Sequence, residues 1–263
     1  MEKRVIFVLG PTAVGKTKYA IEIARALGGE IVSADSMQLY KFMDIGSAKP
    51  TAEEQSLCRH HLVDMIDPRE AFSVSKFQKL AKAAIYDIEK RGLVPVVSGG
   101  TGLYVNSLIY DMDFSSPPGD EKKRRELYSL AEEKGCEYLH KLLEEKDSDA
   151  AERIHPHNIK KVVRAIEAAE SGAKIPSFEQ SFVKTKDYDA VIIGLERDRS
   201  ELYERIDKRV NILIDAGLED EVRGLIDMGL TEDDISMKGI GYKEIIGFFD
   251  GLYGKEEAID LIK

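Results

Sequence analysis

The sequence predicts an α/β fold, a parallel sheet wrapped by helices with an all-helical segment inserted before the sheet resumes. Three observations predict it. Short apolar runs alternate with stretches of helical periodicity through the N-terminal part of the chain. A glycine-rich turn joins the first apolar run to the first amphipathic stretch. From Glu121 to Ser171 the chain is highly charged and holds no strand-like run, and one more apolar run follows at Ala190–Leu195.

Each element has its own signal. Val5–Leu9 is continuously apolar, too short for the core of a signal peptide and of the right length for a buried strand. Thr17–Leu27 carries Tyr19, Ala20, Ile23, Ala24 and Leu27 at helical spacing, and Gly28-Gly29 terminates it. Glu30–Ala34 and His61–Met65 are the next strand candidates. Ser75-x-x-Gln78 reads as a capping box for a helix running toward Arg91-Gly92. Val94–Ser98 is a fourth strand candidate and ends in Ser-Gly-Gly-Thr. The breaker cluster Ser115-Ser-Pro-Pro-Gly-Asp120 then opens a helical region. The expected division is 1–113 with 189–263 as one core, and 114–188 as a helical insertion. Ser200–Lys263 is helical again, punctuated by Gly217, Gly229, Gly241 and Gly251.

Composition narrows the function. With 263 residues, 43% of them apolar, the chain can bury a sizeable core and is not disordered. Its 38 Lys and Arg against 48 Asp and Glu leave a net charge of -10, which argues against nonspecific coating of nucleic acid but permits local basic patches. No apolar run approaches the roughly 18 residues of a membrane span. Cys58 and Cys136 are far apart and outside any Cys-x-x-Cys or Cys/His spacing, so reduced thiols in a cytoplasmic protein are expected, without a disulfide framework or structural zinc. His60, His61, His155 and His157 are expected to be structural or surface residues.

The chemistry begins at Gly10-Pro11-Thr12-Ala13-Val14-Gly15-Lys16-Thr17, which matches G-x-x-x-x-G-K-[ST] directly after a strand and at the start of a helix. Glycines let successive N–H groups face one anion, the helix N-terminus and Lys16 add positive charge, and Thr17 can hold Mg²⁺. The loop is of the nucleotide-binding, ATP-binding type, and what it reports is phosphate. Asp35 is the best-placed carboxylate near it, readable as a general base or Mg²⁺ partner, or as a helix cap or turn residue.

Further segments carry a family resemblance. Asp35-Ser-Met-Gln-Leu-Tyr40, Asp44-Ile-Gly-Ser-Ala-Lys49-Pro-Thr51, His60-His61-Leu62 and Gly99-Gly-Thr-Gly-Leu-Tyr104 resemble the tRNA dimethylallyltransferase family. The likeness continues through His157-Asn158-x-x-Lys161-x-x-Arg164-Ala165-Ile166-Glu167 and Leu202-Tyr203-x-Arg205-Ile206-x-x-Arg209. Gly217-Leu218-x-x-Glu221-Val222 and Gly239-Ile-Gly-Tyr-Lys243-Glu244 complete it, so it covers nearly the whole chain in order. Members of the family usually continue past the equivalent of Leu261-Ile262-Lys263 with a basic, aromatic-containing segment that bears on tRNA affinity.

The resemblance implies a P-loop kinase-like core and a tRNA-binding helical insertion. It also implies a reaction: transfer of a dimethylallyl group from dimethylallyl diphosphate to N6 of the adenine 3′-adjacent to the anticodon, in tRNAs reading codons that begin with U. The expected catalytic residues are Asp35, Thr101 and Lys16. Gly10 through Thr17, with Arg205 and Arg209, would hold the diphosphate, with Mg²⁺ on Thr17. Asp35, Ser36, Met37, Gln38 and Thr101 would meet the extruded base, Gln38 as reader of an adenine edge because its amide both donates and accepts. Arg124 in Lys122–Arg125, Lys160, Lys161, Arg164 and Lys243 would meet RNA. The partners implied are the tRNA anticodon stem-loop and dimethylallyl diphosphate, with no membrane, in a cytoplasmic monomer.

Residue by residue, plainer readings stand beside these. Thr101 and Gln38 could serve only as turn residues, the basic runs as solvated helix faces, and Arg205 and Arg209 as helix surface. Two other functions compete: a P-loop small-molecule kinase, which leaves Asp35–Tyr40 unexplained, and a noncatalytic tRNA-binding protein, for which Asp35, Lys16 and Thr101 together would be coincidence.

Overall fold

The computed structural model describes residues 3–112, 114, 121–172 and 182–263. The breaker cluster Ser115–Asp120 lies outside them. Two compact units are present, Met1–Tyr110 with Lys184–Lys263, and Asp111–Val183.

In the first unit, strands β1 (Arg4–Leu9), β2 (Gly29–Ser33), β3 (His60–His61), β4 (Val94–Gly99) and β5 (Asp189–Gly194) form one sheet in the order β3-β2-β4-β1-β5. Every pairing is parallel, with Ile6 opposite Val96 and Val191, and Ile31 opposite Val96. Side chains alternate across a strand, so each strand feeds two apolar layers. Val5, Phe7, Val32 and Val97 pack on Phe77, Ala81, Ile85 and Ile88 of α3 (Val74–Lys90) and on α4 (Gly102–Ile109). Val8, Ile31 and Val96 pack on Ala20, Ile21 and Ala24 of α1 (Lys16–Leu27). Helices on both faces account for the continuously apolar strands. A sheet so wound gathers the loops at the carboxyl ends of β1, β2 and β4, where open α/β folds place their ligands.

Three local expectations are corrected. The buried face of α1 is Ala20, Ile21 and Ala24, whereas Tyr19 and Leu27 are 37% and 50% exposed, off the face that packs on the sheet. The strand expected at His61–Met65 stops after His61, because Leu62 (φ 62) and Asp64 (φ 56) adopt left-handed backbone that no strand accommodates. Helix α3 is capped by Ser73, whose hydroxyl accepts from Lys76 N, not by a Ser75–Gln78 box; the Gln78 amide donates instead to Ser107 O at 2.7 Å.

Beneath β2, the buried carboxylate of Glu30 receives both guanidinium arms of Arg91 at 2.6 Å each and lies 2.6 Å from His61 Nε2. Arg91 holds this carboxyl down at about 2. After β5, α9 (Arg199–Asp215), α10 (Leu218–Asp227), α11 (Tyr242–Phe249) and α12 (Lys255–Ile262) pack around Leu218, Val222, Leu225, Tyr242 and Ile245. Tyr40 and Met43, from the segment after β2, join this cluster and fasten it to the sheet. Gly217, Gly229, Gly241 and Gly251 all take positive φ at helix boundaries, as their spacing suggests.

The second unit is helical in its described residues: α5 (Glu121–Lys134), α6 (Cys136–Lys146), α7 (Ser148–Arg153) and α8 (Ile159–Glu170). Leu127, Leu139, Leu143, Val162 and Ile166 form its core. Burial of Val162, Val163, Ala165 and Ile166 leaves Lys160, Lys161 and Arg164 exposed on the other face of α8. Among the described residues of the whole chain, no helix is long and apolar enough to cross a membrane.

Candidate active site

A cavity of about 450 Å³ opens at the carboxyl ends of the central strands of the first unit. Its floor is the loop between β1 and α1. Gly10 starts the loop at φ +154, where an added Cβ would stand 2.7 Å from Leu195 O, so only glycine fits. The chain then turns through Ala13 (φ 64) and Gly15 (φ 107) into α1, whose N-terminus has no side-chain cap. An uncapped first turn leaves amide N–H groups for an anion. Thr12, Ala13, Gly15, Lys16 and Thr17 line the cavity, while Gly10, Pro11 and the buried Val14 shape the loop behind it. The Lys16 ammonium folds back on the loop, donating to Gly10 O at 3.0 Å and Pro11 O at 2.8 Å. Burial lowers its pKa, Asp35 opposes that, and Arg209 adds to it. Arg209 is lowered by burial as well and supported by Asp35, so the three side chains share one electrostatic field.

Helix α9 supplies the other wall. Arg205, Lys208 and Arg209 line the cavity, and Arg205 Nε donates to Ala13 O at 2.8 Å. Arg197, not foreseen from the sequence, donates from Nε to Val14 O at 3.1 Å while its Nη1 pairs with Glu201 at 2.5 Å.

Opposite the loop, β2 and β4 end side by side. A Cβ on Gly99 would meet Ala34 O at 2.2 Å, and this closeness lets Thr101 N reach Ala34 O at 3.3 Å. Asp35 emerges there. Its Oδ1 accepts from Met37 N at 2.9 Å and Gln38 N at 3.4 Å, and Oδ2 has no hydrogen bond among the described residues. The turn role and the chemical role therefore coexist in one carboxylate. Gln38 lines the cavity beside it, its amide oriented by Ser33 Oγ at 2.9 Å and Ala48 O at 3.3 Å. Thr101 sits behind the lining; its Oγ accepts from Ser36 N at 3.0 Å and donates to Ser36 Oγ at 3.3 Å, bracing the turn that carries Asp35. Met37 points elsewhere, against Gly239 and the apolar cluster of the C-terminal helices.

Ser47, Ala48 and Glu54 complete the lining from the segment after β2. That segment is held by two groups whose part no spacing announces. The buried Lys49 ammonium donates to Tyr40 O at 2.8 Å and pairs with Asp44 and Asp64. The Glu221 carboxylate, from α10, accepts from three successive amides, Asp44 at 2.8 Å, Ile45 at 2.7 Å and Gly46 at 3.0 Å, and from Tyr242 OH at 2.7 Å. Both lie in quoted motifs, Asp44–Thr51 and Gly217–Val222, but only folding shows that one organises the other.

In the second unit, Arg124 gives Nε and Nη2 to Glu167 at 3.1 and 3.0 Å, and Lys123 pairs with Glu170, which Lys146 also reaches at 3.0 Å. Part of the Lys122–Arg125 run is thus engaged by acids of α8. Lys160, Lys161 and Arg164 are exposed. In the first unit, Lys243 is exposed, with its ammonium 3.3 Å from Glu244 Oε1. His157 is exposed, and its Nδ1 lies 3.8 Å from Cys136 Sγ, a neighbour that the spacing of the two residues in sequence does not announce.

Residues 38–263 match the family described as IPPT: IPP transferase. A protein named tRNA dimethylallyltransferase from Alkaliphilus oremlandii is 50% identical over this whole chain and 84% of its own length. A namesake from Clostridioides difficile is 49% identical over 98% of this chain and 83% of its own. The crystal structure of the full-length tRNA isopentenylpyrophosphate transferase from Bacillus halodurans is 43% identical, with a TM-score of 0.71, over all of this chain and 82% of that one. A eukaryotic dimethylallyltransferase whose structures are described as snapshots acting on tRNA is 25% identical with a TM-score of 0.81, over 99% of this chain and 66% of that one.

Proposed function

Because the chain belongs to the IPP transferase family, we propose that it transfers a dimethylallyl group from dimethylallyl diphosphate to tRNA, at N6 of the adenine 3′-adjacent to the anticodon in tRNAs reading codons that begin with U. One observation carries the reading: an anion-binding loop and an oriented carboxylate with a free oxygen face the same 450 Å³ cavity.

An allylic carbon gives up diphosphate when the departing negative charge is stabilised. The amides at the start of α1, Lys16, Arg205, Lys208 and Arg209 line the place where that charge would sit. Adenine N6 is a weak nucleophile because its lone pair is delocalised into the ring. Asp35 Oδ2 accepts an N6 proton as the carbon–nitrogen bond forms, while Oδ1 stays tied to the turn. Gln38, with its amide already oriented, reads the adenine edge. Thr101 keeps Ser36, and hence Asp35, in position. Extruding the base costs a few kcal/mol, which stacking and these hydrogen bonds offset. Thr17 and Asp35 present hard oxygen donors to one cavity, a set that suits Mg²⁺, and Thr17 would hold it. Bound there, Mg²⁺ neutralises part of the diphosphate charge. The helical unit, 114–188 by the sequence division, binds the anticodon arm through Lys160, Lys161 and Arg164, and Lys243 and Arg124 take lesser parts; the protein works as a cytoplasmic monomer.

The test is direct. Protein, Mg²⁺ and tRNA are incubated with labelled dimethylallyl diphosphate or with labelled ATP. Label is expected in RNA from the prenyl donor alone; phosphate transfer from ATP to an acceptor, with no prenylation, would overturn the reading.

A further inference from the structure

We propose that the helical unit holds a transition-metal site, suited to Zn²⁺, formed by Cys136 Sγ, the Glu137 carboxylate and His157 Nδ1. One ligand atom from each residue lies within 4.8 Å of the other two. The sulfur and the imidazole nitrogen are 3.8 Å apart. In a tetrahedral zinc site, with the sulfur at about 2.3 Å and the nitrogen at about 2.0 Å from the metal, the two ligand atoms stand roughly 3.6 Å apart. The pair is therefore spaced to share one ion with little movement.

Two separate segments bring these donors together, and both are anchored without the metal. Gly135, at φ 87, turns the chain into α6, so Cys136 and Glu137 occupy its first turn, where the helix dipole favours a thiolate. His140, one turn further along α6, donates through Nε2 to Ile154 O at 2.8 Å and Ala151 O at 3.0 Å, carbonyls that can only accept. That bond fixes the segment bearing His157 against the same helix. Asn158 N donates to His155 O at 2.8 Å, and His157 N donates to His155 Nδ1 at 3.3 Å, closing the turn. The imidazole of His157 rests on that of His155 with ring centroids 5.3 Å apart. The donor set separates this site from the cavity of the first unit, where Thr17 and Asp35 offer oxygen: a thiolate and an imidazole select a borderline-soft ion and disfavour Mg²⁺. Three protein ligands leave a fourth position for water. The site stands apart from the prenyl-transfer reading, and each can fail without the other.

The experiment uses the full chain. Zn²⁺ is titrated against a chromophoric chelator, and Co²⁺ replaces it for spectroscopy. One equivalent of Zn²⁺ is expected to bind, Co²⁺ to give a thiolate-to-metal charge-transfer band, and Zn²⁺ to raise the melting temperature in a concentration-dependent way. Cys136→Ser and His157→Gln should each weaken binding by at least about 100-fold and abolish the stabilisation. Cys58→Ser should keep both. A Co²⁺ spectrum without the thiolate band, or equal Zn²⁺ affinity in the wild type and both variants, overturns the site. Cys136 and His157 lie outside the apolar core, so circular dichroism should show both variants folded.

Discussion

Asp35 is the residue on which the chemistry turns, and its two oxygens have different duties. Replacing it with Asn keeps an Oδ1 that accepts from Met37 N and Gln38 N, so the turn survives while the proton acceptor is lost. Asp35→Asn should lower kcat by about 100-fold or more and leave inorganic diphosphate binding near the wild-type value; unchanged turnover in single-turnover assays would strip the residue of its role. Asp35, Lys16, Thr17, Gln38, Arg205 and Arg209 were legible in the sequence and line one cavity. Lys49, Glu221 and Arg197 were not legible as builders of it, although Lys49 and Glu221 lie in recognised motifs. Their work is to satisfy backbone groups of distant segments, and that pairing exists only in three dimensions. Met37 shows the converse: its nearness to Asp35 in sequence does not put its side chain on the cavity, whereas Thr101, remote in sequence, braces Ser36 from behind the lining.

Continuous apolar runs mark the central strands more surely than helical spacing marks the buried face of α1, where Tyr19 and Leu27 are exposed. The continuous apolar runs of β1, β2 and β4 are strands buried on both faces of the sheet, as their composition suggests. What failed were ends: a cap displaced by two residues, from Ser75 to Ser73, and a strand cut short by left-handed Leu62 and Asp64. Such details depend on hydrogen bonds to other elements, as with Gln78, and not on local pattern. The same distinction separates the two basic helices. On α5, Arg124 and Lys123 face Glu167 and Glu170; on α8, Lys160, Lys161 and Arg164 face solvent. Removing the α8 charges together (Lys160→Ser, Lys161→Ser, Arg164→Ser) should flatten the log–log salt dependence of tRNA binding by about 2 to 3. Lys123→Ser with Arg124→Ser should change that slope less. Equal slopes for the wild type and the α8 variant would return that face to plain solvation.

At the scale of the whole molecule, the central sheet depends on a charge buried under β2. Glu30 titrates at about 2 in the folded protein against an ordinary value of 4.5, because Arg91 and His61 bind its ionised form. A lowered carboxyl pKa stabilises the fold above the unfolded value and loses that contribution as pH falls through the folded one. Chemical denaturation between pH 5 and pH 2, roughly the window of that shift, should therefore show stability falling by no more than about 3 kcal/mol from this group. Glu30→Gln, less stable near neutrality, should show a flatter dependence over the same range; an identical slope would locate the acid sensitivity elsewhere. The resting loop holds a different kind of consequence. Lys16 is already satisfied by two carbonyl oxygens of its own turn. An arriving anion must win the ammonium away from them, so occupancy is an exchange of partners and not a simple gain. A singly charged visitor offers little in that trade, whereas a chain of two linked phosphates can engage the lysine and the helix amides at once, which makes the loop a filter for polyvalent cargo.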